Sequence, residues 1–288
     1  MANNQQKQTL KYFSGHANSW FRQAKFIKNG PQSSAQQRNN FVYEYLKKNS
    51  TKNFLDLGCG SGNLAYEASK VTKFSHGIDF AKSMIVLAKK KFKRKNLKFE
   101  NKDALKFDPD VKYDVVAANG FIEYFSEKDL KKITKKIHSI LRKNGVFIIS
   151  SRNRLFNVFS LNNFTDLEIK SKKIPDLIKE TMQLINLDFK SFKKVNGLQF
   201  ETIKYKQPKT GVNVDLINQY TPKQLIKFYA KNGFEAINIS GINYHPVIPS
   251  FKTNHYISDF NSKIVEKNYY NKKIIPFSSS FMLLLKKK

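Results

Sequence analysis

The chain has one cysteine, Cys59, in 288 residues. That scarcity excludes a disulfide framework and a four-cysteine zinc site. It also makes a thiol-compatible, cytoplasmic setting the expectation. No apolar run approaches the ~18 residues needed to cross a bilayer. The opening MANNQQKQTLKYF lacks the continuous apolar stretch of a secretory signal. Acidic residues are few, 22 against 52 lysines and arginines, for a formal net charge of +30. Arginine is itself scarce, at Arg22, Arg38, Arg94, Arg142, Arg152 and Arg154 only. There is no internal repeat and no strongly biased linker.

Hydrophobic residues make up 40% of the chain, enough for a real core. The length suits one large domain, or one domain with a cap. A nucleic-acid groove or an anionic membrane surface would both attract such a positive chain. The lysines, however, are spread along the sequence, and Asn, Ile, Phe and Tyr are abundant beside them, as in proteins of AT-rich genomes. The charge alone therefore predicts solubility and salt-sensitive sticking, not a specific partner.

Hydrophobic periodicity predicts alternating strands and helices. Residues 1–50 are polar with scattered aromatics and carry a helix over Ala35–Lys48. Strands are expected at Asn53–Leu57, Phe74–Asp79, Leu97–Glu100, Tyr113–Ala118 and Val146–Ser150. Helices are expected at Leu64–Lys70 and Ala81–Lys93. A further helix opens at Ser126, with Leu130, Ile133, Ile137, Ile140 and Leu141 at helical spacing and Asn144-Gly145 as its stop. Residues 151–218 break the alternation with Phe-rich and Lys-rich helical pieces such as Ile174–Leu187. It resumes at Thr221-Pro222-Lys223-Gln224, which combines an N-cap, a first-turn proline and a capping-box glutamine. Strands at Phe234–Gly241 and Ser278–Lys286 complete seven. The expected fold is α/β, a Rossmann-like, mostly parallel seven-stranded sheet with an antiparallel last strand. Its expected divisions are lid helices over 1–50, a ligand-binding core over 51–150, a substrate cap over 151–218, and the rest of the core sheet over 219–288.

The first strand runs into Leu55-Asp56-Leu57-Gly58-Cys59-Gly60-Ser61-Gly62, and a helix follows. Glycines there let the backbone approach a ligand closely, and a helix start offers free amides. A dinucleotide and S-adenosylmethionine (SAM) are the two candidates. The dinucleotide fingerprint G-x-G-x-x-G fails: counted from Gly58 and Gly60, its last glycine falls on Asn63. Counted from Gly60 and Gly62 it reaches Ala65, but the loop would then start two residues late. The pattern present is acid-x-G-x-G-x-G, which resembles motif I of the class I SAM-dependent methyltransferases. Asp79, 21 residues beyond Gly58 at the end of the second strand, suits the two ribose hydroxyls of an adenosine. Asp103-Ala104, after the third strand, matches the family position at the adenine edge.

The chain most resembles the ubiquinone-biosynthesis 3-O-methyltransferase group. Phe13, Ala17-Asn18-Ser19-Trp20-Phe21 look like its lid helix, with Tyr12, Phe13 and Trp20 as candidates to close the pocket. Arg38 stands where that group has a SAM-contacting arginine. Ile239-Ser240-Gly241-Ile242-Asn243-Tyr244-His245-Pro246 looks like its G-L-H-Y-N-P segment. The resemblance implies a SAM site formed by Arg38, Asp56, Gly58, Cys59, Gly60, Ser61, Asp79, Phe80, Asp103, Ala104 and Asn119. The group's E-x-x-E-H segment reads Gly120-Phe121-Ile122-Glu123-Tyr124 here. One carboxylate remains, a poor divalent site, so no metal is expected.

The Asn119-Gly120-Phe121-Ile122 segment also lacks the prolines of the D/N-P-P-Y/F signature of nucleobase amino-methyltransferases. Cys59, in the glycine loop, is misplaced for a cytosine C5 nucleophile. The expected reaction is methyl transfer to a small-molecule oxygen, a phenol or sugar hydroxyl. A base near the methyl would take the proton. His245 is the first candidate, His16 the second, and Glu123 would orient the acceptor. Arg152 and Arg154, at the cap entrance, read as solvated charges. The alternatives are an RNA methyltransferase using the basic surface, a SAM-binding scaffold without an acceptor site, and peripheral docking on an anionic membrane.

Overall fold

The computed structural model describes residues 4–26, 31–201, 214, 217–249 and 255–288. Residues 202–213, 215 and 216 of the expected cap lie outside the described residues. Helices α1 (Asn4–Gly15), α2 (Ala17–Gln23) and α3 (Ser34–Lys48) lead into β1 (Asn53–Leu57), α4 (Asn63–Ala68), β2 (Phe74–Asp79) and α5 (Lys82–Lys91). Then come β3 (Leu97–Asn101), β4 (Tyr113–Ala118), a 3-10 turn at Ile122–Tyr124, α6 (Glu127–Ile140) and β5 (Leu141–Arg152). Four helices follow: α7 (Asn157–Ser160), α8 (Asn163–Lys170), α9 (Ile174–Asn186) and α10 (Phe189–Lys194). The chain closes with α11 (Pro222–Ala230), β6 (Phe234–Tyr244), α12 (His255–Lys267) and β7 (Ser278–Lys287).

The seven strands form one sheet in the order β3-β2-β1-β4-β5-β7-β6. Strands β1 to β5 pair in parallel, and β7 runs antiparallel to both its neighbours. Strand order reverses between β1 and β4. The carboxyl ends of those strands therefore open the crevice in which such sheets take ligands. Sheet residues such as Phe54, Leu55, Val116, Phe147 and Ile148 are buried, because helices cover both faces. On one face lie α6, α11 and the cap, through Leu130, Ile137, Leu177, Leu184 and Tyr229. On the other lie α3, α4 and α12, through Phe41, Val42, Leu64 and Val265.

Local signals account for most helix starts. Ser33 and Gln36 form a reciprocal capping box at α3, and Ser126 accepts from Asp129 N at α6. Two expectations are corrected. Asn144-Gly145 does not stop α6, which ends at Ile140. Leu141 pairs with Tyr113 first, and Asn144 takes φ +62 inside β5 while the register against β4 shifts. The dipeptide makes a bulge, a feature the periodicity could not separate from a helix end. Helix α12 replaces an expected irregular stretch. Part of what anchors it is non-local: Gln32 N donates to Ser262 Oγ at 3.0 Å.

The cap is tied to the core by buried polar bonds. Thr221 Oγ1 donates to Glu180 Oε2 at 2.8 Å and accepts from Gln224 N at 3.2 Å. Lys223 N donates to the other oxygen of Glu180 at 2.9 Å. Arg154 is not a solvated charge. It is 8% exposed and grips Glu168 through two bonds of 2.8 and 2.9 Å. Among the described residues, no helix is long and apolar enough to cross a membrane.

The two caps make a contrast. Thr221→Val strips a buried carboxylate of a donor and should cost about 2–3 kcal/mol. Ser126→Ala removes only a surface cap and should cost about 1 kcal/mol. Urea midpoints of the two variants should fall in that order.

Candidate active site

The turn after β1 is stitched to the end of β2. Gly58 N and Cys59 N both donate to Ile78 O at 2.9 Å. Gly60 N donates to Asp79 Oδ2 at 2.9 Å, while Ala81 N donates to Asp79 Oδ1 at 2.8 Å. Gly58 has φ +73, and a Cβ there would stand 2.6 Å from the Phe121 ring. Gly60 has φ +52, and a Cβ there would meet no protein atom within 4 Å. The open side of Gly60 is thus where a ligand can approach bare backbone.

Two carboxylates lie under this turn. Asp56 is 3% exposed, and its pKa is pushed up to about 7 by burial, against the Ala65 amide and with a push from Asp79. Asp79 is raised to about 6, again by burial, against the Ala81, Gly60 and Phe80 amides. Burial and both carboxylates drive the Cys59 thiol well above its ordinary pKa. A thiol held neutral is a poor nucleophile.

A cavity of about 630 Å³ opens at this edge of the sheet. Arg38, Asp56, Gly58, Cys59, Gly60, Ser61, Asp79, Phe80, Asp103, Ala104 and Asn119 all line it, from five separate chain segments. The α1–α2 segment covers it with Leu10, Phe13 and Trp20. Phe13 meets Tyr124 edge-on at 5.6 Å and Trp20 at 5.7 Å. Tyr12 is not among the lining residues; it stacks on His16 at 4.4 Å.

Arg38 Nη2 donates to Ser280 Oγ at 2.9 Å, tying α3 to β7. Asn119 Nδ2 donates to Asn39 Oδ1 at 3.1 Å. Four buried atoms of cavity-lining residues have no hydrogen-bond partner: Ser34 Oγ, Arg38 Nε, Asn119 Oδ1 and Glu123 Oε2. Unmet buried polar groups are costly, so these mark where a ligand supplies the partner. Glu123 is 2% exposed; burial raises its pKa, and the charges of Arg38 and Arg152 oppose that rise.

His245 and His16 do not line the cavity. The His245 ring stacks at 4.9 Å on Phe156, itself a wall residue, and the His245 backbone N–H donates to Phe277 O at 2.8 Å. Strand β6 runs three residues further than its pattern suggested, to Tyr244, and this pairing holds His245 behind the wall. The residues that sequence reasoning passed over are Asn39, Asn157, Gln219 and Ser280, all on the cavity. Isolated polar residues scattered over helix, loop and strand carry no spacing signal.

Residues 48–221 match a family described as a methyltransferase domain. The chain belongs to the class I SAM-dependent methyltransferases. A malonyl-[acyl-carrier protein] O-methyltransferase of Bacillus anthracis is 31% identical over 121 residues, 41% of this methyltransferase and 42% of that protein. A ribosomal protein L11 methyltransferase of Dictyoglomus thermophilum is 32% identical over 139 residues, 46% of this chain and 44% of its own. This methyltransferase therefore spans less than half the length of those two relatives. A ubiquinone biosynthesis O-methyltransferase of Pelagibacter ubique is 26% identical over 227 residues, 68% of this chain and 89% of that one. Among solved structures, the magnesium protoporphyrin IX methyltransferase of Synechocystis with bound S-adenosylhomocysteine (SAH) superposes with a TM-score of 0.58. It covers 99% of this chain and 100% of its own at 13% identity, a likeness of fold.

The buried carboxylates set a pH signature for the ligand-free methyltransferase. Both folded pKa values, about 7 and about 6, lie above the unfolded carboxylate value. Their contribution to stability is thus fully present below the unfolded value and is lost as pH rises through 6 and 7. Asp56→Asn should raise the melting temperature at pH 8 and leave it nearly unchanged at pH 4. Thermal scans at both pH values check this.

Proposed function

We propose that this methyltransferase uses SAM to methylate a hydroxyl oxygen of a small molecule. The observation that carries the reading is the pairing, on one cavity wall, of the Gly60 turn and Asp79 with the unmatched Arg38, Asn119 and Glu123 atoms. SAM ends in an amino-acid head, which needs a donor for its carboxylate and an acceptor for its ammonium. Arg38 Nε and Asn119 Oδ1 offer that pair. Asp79 would hold the ribose hydroxyls, and Phe80, Asp103 and Ala104 the adenine. The residues present therefore fit the group. SAM supplies a methyl already activated on a sulfonium.

The protein's part is then to position, exclude water and handle one proton. Phe13, Trp20 and Tyr124 close the cavity toward solvent. Glu123 is the base in this reading. Its carboxylate is buried on the cavity wall with one oxygen unpaired, and burial raises its pKa, which strengthens it as a base. The acceptor hydroxyl would give its proton to Glu123 Oε2 as its oxygen takes the methyl, the methyl–sulfur bond breaking with SAH as the leaving group. Tyr124 narrows the same end. His245 supports the wall through Phe156. The O-methyltransferase names of two of the relatives above favour oxygen as the acceptor atom.

Calorimetric titration with SAH is the direct test, and absence of binding would end the proposal. Asp79→Asn should weaken SAH by about 1–2 kcal/mol through lost charge-assisted hydrogen bonds. SAM is a cation at its sulfur, so its affinity should be high at pH 8 and fall as Asp56 and Asp79 take up protons through about 7 and 6. Glu123→Gln should leave SAH affinity in place and lower kcat about 10²–10⁴-fold once an acceptor is in hand.

A further inference from the structure

A second, unassigned set of groups lines the same cavity. Asn153 and Tyr220 form an isolated parallel bridge, with Tyr220 N bonded to Arg152 O at 3.2 Å and Arg154 N to Tyr220 O at 3.0 Å. One residue back on each segment stand Arg152 and Gln219, in register and both on the cavity wall. Asn157, from α7, lines the wall beside them. Gln219 and Asn157 are 8% and 5% exposed, so their amides are held, not solvated.

The polarity of these amides is dictated from behind. Arg154 takes both oxygens of Glu168, at 2.8 and 2.9 Å, and donates a third bond to Glu201 at 2.8 Å. The Glu168 oxygens that face this guanidinium serve as acceptors. Asn157 must therefore turn its NH₂ toward Glu168, and does so at 2.9 Å. The second hydrogen of that NH₂ goes to Gln219 Oε1 at 2.7 Å. That bond engages Gln219 Oε1 and turns the Gln219 NH₂, with its two donors, toward the cavity, in register with Arg152.

We infer that Gln219 and Arg152 form a recognition site for a carboxylate on the methyl acceptor, with the Arg154–Glu168 pair as the positioning element that fixes its polarity. Two donors and a positive charge suit an anionic oxygen and repel a cation. The acceptor is thus a hydroxy acid: a hydroxyl presented to Glu123 and a carboxylate held at Gln219 and Arg152. This rests on the methyltransferase reading, which supplies the need for an acceptor.

The test uses the full chain saturated with SAH, and benzoate and benzamidine as probes of opposite charge. Ligand-observed NMR titration should give benzoate an affinity at least about tenfold above benzamidine. Gln219→Glu reverses the polarity and Gln219→Leu removes the donors without adding charge. Each should weaken benzoate about tenfold or more, with SAH affinity unchanged. Equal retention of the two probes, no retention of benzoate, or unaltered benzoate affinity in both variants would overturn the inference. So would competition between benzoate and SAH, which would place the anion at Arg38. Failure of SAH itself to bind is a separate result, and it strikes the methyltransferase reading instead.

Discussion

The Asp79 carboxylate is the hinge of this structure. One oxygen takes the Gly60 amide from the β1 turn and the other takes the Ala81 amide that opens α5. Two strands, a glycine turn and a helix start are thereby held by one ionisable group that is 8% exposed. The burial that makes those bonds strong also makes the charge costly, and this is why the pKa rises despite three backbone donors. Asp56, next to it, carries the same tension with less relief. The crevice is in this sense built against its own stability, which is common where a cationic ligand is to be received.

That local acidity stands inside a very basic molecule. The net charge of +30 describes the surface, where lysines are spread widely. It says little about the cavity, where the acidic Asp56 and Asp79 and the basic Arg38 and Arg152 all line one wall and the two arginines act on Glu123.

The cap does more than cover. Its buried pairs, Arg154 with Glu168 and Glu180 with Thr221 and Lys223, cost desolvation and add little net stability over apolar packing. They do fix orientation. Glu168 decides which way Asn157 faces, and Asn157 decides which way Gln219 faces. Such a chain of polar bonds transmits a choice made by an ion pair to an amide on the cavity wall.

Much of the fold was legible in the chain. Strands β1, β2 and β4 stand within their expected bounds, because short apolar runs ended by glycine, aspartate or asparagine leave little freedom. The glycine turn and Asp79 were legible too, since motif spacing fixes where bare backbone and a carboxylate emerge at neighbouring strand ends. The bulge at Asn144, helix α12 and the burial of Arg154 were not, because each is settled by a partner far away in the chain. The same holds for the wall: a histidine near a strand end reads as a base, and only packing against Phe156 sets it behind the cavity. Local periodicity and spacing determined the sheet and the glycine turn; tertiary contact alone decided which side chains face the cavity, since that direction depends on bonds between residues that no short-range pattern relates.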